Sequence, residues 1–135
     1  MIVLDEQLDD ERIIRGVEGV YQGAVRVITD LAPDLVVVKD ELIPRLLRRQ
    51  RGATFVTINW SDFWQVVEAD SRCSYLCIAL PSSRALEVPT VLSRVLRHPD
   101  FRLKRRRCGK VILVRAAEVC WYERLSGPVQ RSPFA

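Results

Sequence analysis

Three acidic groups in this chain stand where apolar sequence meets polar sequence. Asp5-Glu6 follows Ile2-Val3-Leu4, Asp40-Glu41 precedes Leu42-Ile43, and Asp62 lies just beyond Thr54-Phe55-Val56-Thr57-Ile58, with Asn59 between them. Carboxylates brought together disfavour one another's ionised form unless protons or a cation compensate. An all-oxygen set that keeps some water suits Mg2+ or Mn2+ better than zinc. Each acid also has a plainer reading: Asp40 or Glu41 favours a helix start, Asp62 caps the turn before Phe63, and Glu6 is solvated. Asp5 resists the plain reading, because it directly ends an apolar run expected at the centre of a sheet.

Other chemistries find little support. The one histidine, His98, precedes Pro99 and reads as a helix C-cap rather than a general base. Ser82-Ser83 has no adjacent base and no glycine-rich phosphate loop is present, so hydrolase triads and nucleotide-binding enzymes are unsupported. Cys73 and Cys77 lie in a strand-like stretch at a spacing unlike a zinc knuckle, and together with Cys108 and Cys120 they read as reduced structural thiols.

To hold the acids together, the chain must alternate strands with helices. Ile2-Val3-Leu4, Val25-Arg26-Val27-Ile28, Val36-Val37-Val38, Thr54 to Ile58 and Ser74 to Leu80 read as strands. Helices are expected after Asp9 or Asp10, from about Glu41 to Gln50 with Pro44 in the first turn, from Ser61 or Asp62, and from Pro89 to Arg97. Gly16, Gly19 and Gly23 predict a broken first helix or a loop. Beyond residue 100, Phe101 to Arg107 and Lys110 to Arg115 flank Cys108-Gly109 as a β-hairpin, Val119 to Tyr122 adds a strand, and the tail from about Gly127 is expected to be loose. The pattern predicts a three-layer α/β/α fold with a mostly parallel central sheet and a C-terminal β-hairpin, in a single domain over residues 1–135. In such a sheet, functional groups gather outside the carboxyl ends of the strands, which is where the three acidic groups fall.

Charge is unevenly spread. Residues 1–44 carry a balance of −6 and residues 45–135 one of +10, and 18 of the 21 basic residues are arginine, whose planar fork suits phosphate. Arg45, Arg48, Arg49 and Arg51 are candidates to contact phosphates beside the acidic pocket, the plainer alternative being an arginine-rich coding bias with solvated side chains. Arg102, Lys104, Arg105, Arg106, Arg107 and Lys110 form a denser run, which either contacts phosphate or forms a solvated edge against sheet-to-sheet pairing. Trp60, Trp64 and Trp121 are candidates for base stacking, with packing the simpler role for the first two. No apolar run is long enough to span a bilayer and no leader pattern opens the chain, so the expectation is a cytoplasmic protein without a membrane partner.

Leu4-Asp5-Glu6-Gln7-Leu8, Lys39-Asp40-Glu41-Leu42-Ile43 and Phe55-Val56-Thr57-Ile58-Asn59-Trp60-Ser61-Asp62-Phe63-Trp64 together resemble the PIN-like domain family, in its branch of small bacterial PIN-like proteins. The likeness covers about residues 1–80. It implies a metal-dependent endoribonuclease, commonly the toxin of a toxin–antitoxin pair, with RNA as substrate and a small antitoxin protein as partner; a homodimer is left open. It further implies that Asp5, Asp40 or Glu41, and Asp62 hold one or two Mg2+ or Mn2+ ions, with Glu6 auxiliary. Asn59 departs from the family pattern, standing where an active member usually has aspartate. An amide brings no charge, so the alternative implied is a catalytically weak PIN-like protein that binds RNA or a protein partner.

Overall fold

The computed structural model describes residues 1–134 and is built on one seven-stranded sheet. Its strands are β1 (Ile2–Leu4), β2 (Val25–Val27), β3 (Ala53–Thr57), β4 (Cys73–Ile78), β5 (Val111–Val114), β6 (Glu118–Tyr122) and β7 (Gln130–Pro133). They lie in the order 2-1-3-4-5-6-7, parallel from β2 through β5 and antiparallel for β6 and β7. The helices are α1 (Glu11–Val20), α2 (Ile43–Arg48), α3 (Val88–Arg97) and the short α4 (Lys104–Arg107).

Alternation along each strand divides the core into two layers. Ile2, Leu4, Val56, Leu76, Ile78 and Ile112 face α1 and α3. Val3, Phe55, Tyr75, Cys77 and Leu113 face α2 and the turn carrying Phe63. With both faces covered, β1, β3, β4 and β5 are buried at every position, as a central parallel sheet requires. This is the expected α/β arrangement, compatible with three layers.

Local rules explain the helices. The Asp10 side chain accepts the Arg12 amide at 2.8 Å and caps α1. Pro44 and Pro89 occupy the first turns of α2 and α3, where a missing N–H costs nothing. Contrary to the broken helix or loop expected around Gly16, Gly19 and Gly23, α1 runs through the first two, and only Gly23 lies in the loop that follows. A Cβ on Gly16 would lie 2.6 Å from Pro89 Cγ, so that glycine is what lets α1 and α3 approach.

Four other expectations are corrected. Val36-Val37-Val38 forms no strand: β1 already has β2 and β3 on its two sides, and Val36 is 97% exposed while Val38 alone of the three is buried. No hairpin forms about Cys108-Gly109, because both edges of β5 are taken by β4 and β6; residues 104–107 coil into α4, and the hairpin is β5–β6. The tail is not loose. β6 has an open outer edge, β7 fills it, and Phe134 is buried beneath the Arg94 guanidinium at 4.1 Å. The helix expected from Ser61 or Asp62 is a single 3-10 turn at Trp60–Asp62 followed by a turn in which Gln65 has φ +59. Among the described residues no helix is long and apolar enough to cross a membrane.

Candidate functional site

The order 2-1-3-4-5 makes the chain leave β1 toward one side and return on the other, so its direction reverses between β1 and β3. Side chains at the carboxyl ends of these two strands therefore border a crevice. Leu4 pairs with Val56, which sets Asp5 beside Thr57 one position on. Asp5 is 7% exposed. One of its oxygens accepts the Glu6 amide at 2.8 Å and the other accepts the Thr57 hydroxyl at 2.7 Å. Thr57 Oγ1 also accepts the Asn59 amide at 2.9 Å and lies 2.9 Å from Gln7 Oε1. Gln7 Oε1 in turn accepts the Ile58 and Asn59 amides, so the turns after β1 and β3 are tied to each other.

The other acids stand on turns around this knot. Asp40 and Glu41 open a 3-10 turn, Asp40–Leu42, that leads into α2. Asp62 closes the turn after β3 and accepts a hydrogen bond from the Asn59 side-chain amide. Glu6 accepts the Val38 amide at 3.2 Å, which pins the crossing segment over the site. A groove of about 510 Å3 runs between Asp40-Glu41 and Asp62, lined also by Pro44, Ser61, Phe63, Val66 and Val67; Asp5 and Glu6 lie outside its lining.

Electrostatics place the five acids in one neighbourhood. Burial pushes the Asp40 carboxyl above its ordinary value, and the charges of Asp5, Asp62, Glu41 and Glu6 push it further. Asp5 is also pushed up, chiefly by burial; its bonds from Thr57 and the Glu6 amide oppose this, and the Glu6 and Asp62 charges add to it. Among the described residues no Lys or Arg forms an ion pair with any of the five. In donor type and in uncompensated charge, these residues fit a hard divalent cation. They are not preassembled around one: among the described residues, no three or more His, Cys, Asp or Glu stand together so as to hold a metal ion. Asp40, Glu41 and Asp62 are exposed, Asp62 being held by the Asn59 side-chain amide, whereas both oxygens of Asp5 are already hydrogen-bonded.

The arginines expected beside the acidic pocket lie away from it. α2 starts at the carboxyl ends and runs back, so Arg48, Arg49 and Arg51 sit at the amino end of β3, opposite the acids. Four steps of β3 alone separate the two ends by about 13 Å. Arg45, exposed, lies midway along α2. Arg102, Lys104, Arg105 and Arg106 also lie at the amino end, exposed, before β5. Arg107 is no surface contact: it is 3% exposed and donates to Thr54 Oγ1 and to the Phe101 and Arg102 carbonyls. Trp121 is buried edge-on to Phe101, and Trp64 packs on Tyr122, which leaves Trp60 as the one tryptophan with substantial exposure.

The sequence did not single out Thr57 and Gln7 as the hub of the site, although the strand register that joins Asp5 to Thr57 was the available signal. His98 sits at the C-cap of α3 with Nδ1 accepting the Asp100 amide, as expected. The four cysteines are free, and burial pushes the Cys73 and Cys77 thiols up to about 12. Comparison with protein-family models, with curated proteins and with solved structures gives no match.

Proposed function

We propose that the chain is a PIN-like, metal-dependent endoribonuclease acting at the carboxyl ends of β1 and β3. The observation that carries the reading is that Asp5, Glu6, Asp40, Glu41 and Asp62 stand on the turns after β1 and β3 and before α2, at the reversal point of a parallel sheet, with no Lys or Arg ion-paired to any of them among the described residues. Asp5, Asp40 and Asp62 would hold Mg2+ or Mn2+, with Glu6 and Glu41 beside them. When bound, such an ion supplies an acidified water and offsets charge on the phosphate. The chain's own part is positional. Thr57 and the Glu6 amide fix Asp5, Asn59 orients Asp62, and the open groove admits a phosphodiester to Asp40, Glu41 and Asp62. Because the exposed acids must turn inward on binding, affinity is lowered by the ordering they undergo. In the toxin setting, the exposed Leu35, Val36 and Val37 above the site offer an antitoxin an apolar surface.

A second reading, binding of RNA without cleavage, is favoured by Asn59, which contributes no charge and spends its amide on Asp62. Incubating the protein with structured RNA in Mn2+ separates the two. Cleavage that chelator and Asp62→Ala both abolish supports the nuclease. Retention of RNA without any metal-dependent cleavage supports the binder.

A further inference from the structure

A second concentration of charge, of opposite sign to the candidate site, lies at the other end of the strands. Opposite the carboxylates, the amino ends of the strands collect cations from three separate stretches: the end of α2, the turn before β4, and α4 with the turn into β5. Two adjoining grooves of about 390 and 500 Å3 share Ser71 and Cys108. Arg48, Arg49, Arg51 and Arg72 line the first, and Arg105, Arg106 and Lys110 line the second. Glu123 is the one acid among the lining residues, and neighbouring Asp70 is held by Arg72 at 3.1 Å. Elsewhere Arg12, Arg15, Arg84 and Arg131 each reach a carboxylate. Arg49, Arg51, Arg105 and Arg106 reach none within 4.0 Å among the described residues.

This face is also firmly seated. The buried Arg107 ties α4 to β3 through Thr54, so Arg105 and Arg106 project from an anchored turn. Unpaired like charges held close together repel one another, and a row of phosphates relieves that repulsion. No lining residue is aromatic, so the face lacks the stacking platforms by which single strands are held. A duplex keeps its bases paired and presents only backbone, which such a face matches.

We propose that the amino-end face is a second, metal-independent site that binds the phosphate backbone of duplex RNA through Arg49, Arg51, Arg105 and Arg106. The choice of RNA rests on the reading of the carboxyl end; the phosphate contact does not. Fluorescence anisotropy of a short labelled RNA duplex in chelator tests it without any cleavage step. Four contacts at about 0.9 each give a log–log salt slope of about −3.6, or roughly a hundredfold loss between about 50 and 200 mM salt. Arg105→Glu combined with Arg106→Glu should weaken binding more than tenfold and about halve the slope. The charge-matched control, Arg12→Glu with Arg15→Glu on α1, should stay within about twofold of the parent. No binding in chelator, equal loss in the control, tighter binding of single-stranded RNA or duplex DNA, or displacement by polyglutamate as readily as by unlabelled RNA would each overturn the proposal. Failure of the nuclease assay would leave it standing.

Discussion

Replacing Asp5 with asparagine separates the charge of this side chain from its hydrogen bonds. The asparagine oxygen can keep the Glu6 amide, now at 2.8 Å, and asparagine caps about as well as aspartate. Its nitrogen would face Thr57 Oγ1, which turns from donor to acceptor and sends its own proton to Gln7 Oε1, 2.9 Å away. No bond is lost in number. What changes is that two charge-assisted bonds become neutral ones, a loss of about 1 kcal/mol each, while the cost of burying the charge disappears. The Asp5 carboxyl is pushed up on balance, so desolvation together with the Glu6 and Asp62 charges outweighs those bonds. Asp5→Asn should therefore leave the metal-free protein as stable at pH 7, or more stable by up to about 1 kcal/mol. The pH dependence has a fixed sign. An acid pushed up in the folded state binds its proton more tightly there, so the parent gains on the variant as pH falls through the folded pKa, and the difference vanishes below the unfolded value. Asp5→Ala, which strands the Glu6 amide and removes the Asp5–Thr57 hydrogen bond, should instead lose about 1–3 kcal/mol. Urea unfolding of the three proteins at neutral and mildly acidic pH measures all of this. A loss of 2 kcal/mol or more for Asp5→Asn at pH 7 would refute the reasoning, because the charge itself would then be holding the fold.

Gly16→Ala should destabilise, since overpacking against Pro89 at about 1–3 kcal/mol exceeds the helix gain of about 1 kcal/mol, whereas Gly19→Ala, with nothing within 4 Å, should stabilise; thermal melts of the pair decide it. Arg107→Met should cost at least about 2 kcal/mol, because the Phe101 and Arg102 carbonyls lose their buried donor, and chemical denaturation reads that loss. Iodoacetamide at pH 8 should modify the half-buried Cys108 in the native protein and spare Cys73 and Cys77, whose thiols are buried and pushed up to about 12; peptide mapping with and without urea checks this.

The central strands were legible because burial on both faces leaves near-continuous apolar runs, as in Phe55-Val56 and Tyr75-Leu76-Cys77-Ile78. Asp5 was legible for the related reason that a charge at the end of such a run cannot lie far from the sheet. The rest depended on which strand edges other segments had already taken. Val36-Val37-Val38 and Phe101 to Arg107 have the composition or alternation of strands but no free neighbour to pair with. Gln130 to Pro133, polar and close to proline, found one beside β6. Side-chain direction was hidden in the same way. Within Arg105-Arg106-Arg107 nothing marks the third as the one that turns inward to Thr54, a residue more than fifty positions away. The separation of arginines from carboxylates follows from α2 running back along the sheet, so Arg48 and Asp40 are close in sequence and at opposite ends in space.

The claim that the carboxyl end takes a divalent cation is tested most directly by melting the parent and Asn59→Asp with and without Mn2+. Aspartate at this position would face Asp62 without the amide that now bonds it, so the variant should melt below the parent in chelator. A cation stabilises in proportion to its affinity for the folded state, so Mn2+ should raise both melting temperatures and raise that of Asn59→Asp more. Melting curves for both proteins that Mn2+ does not move would contradict the account.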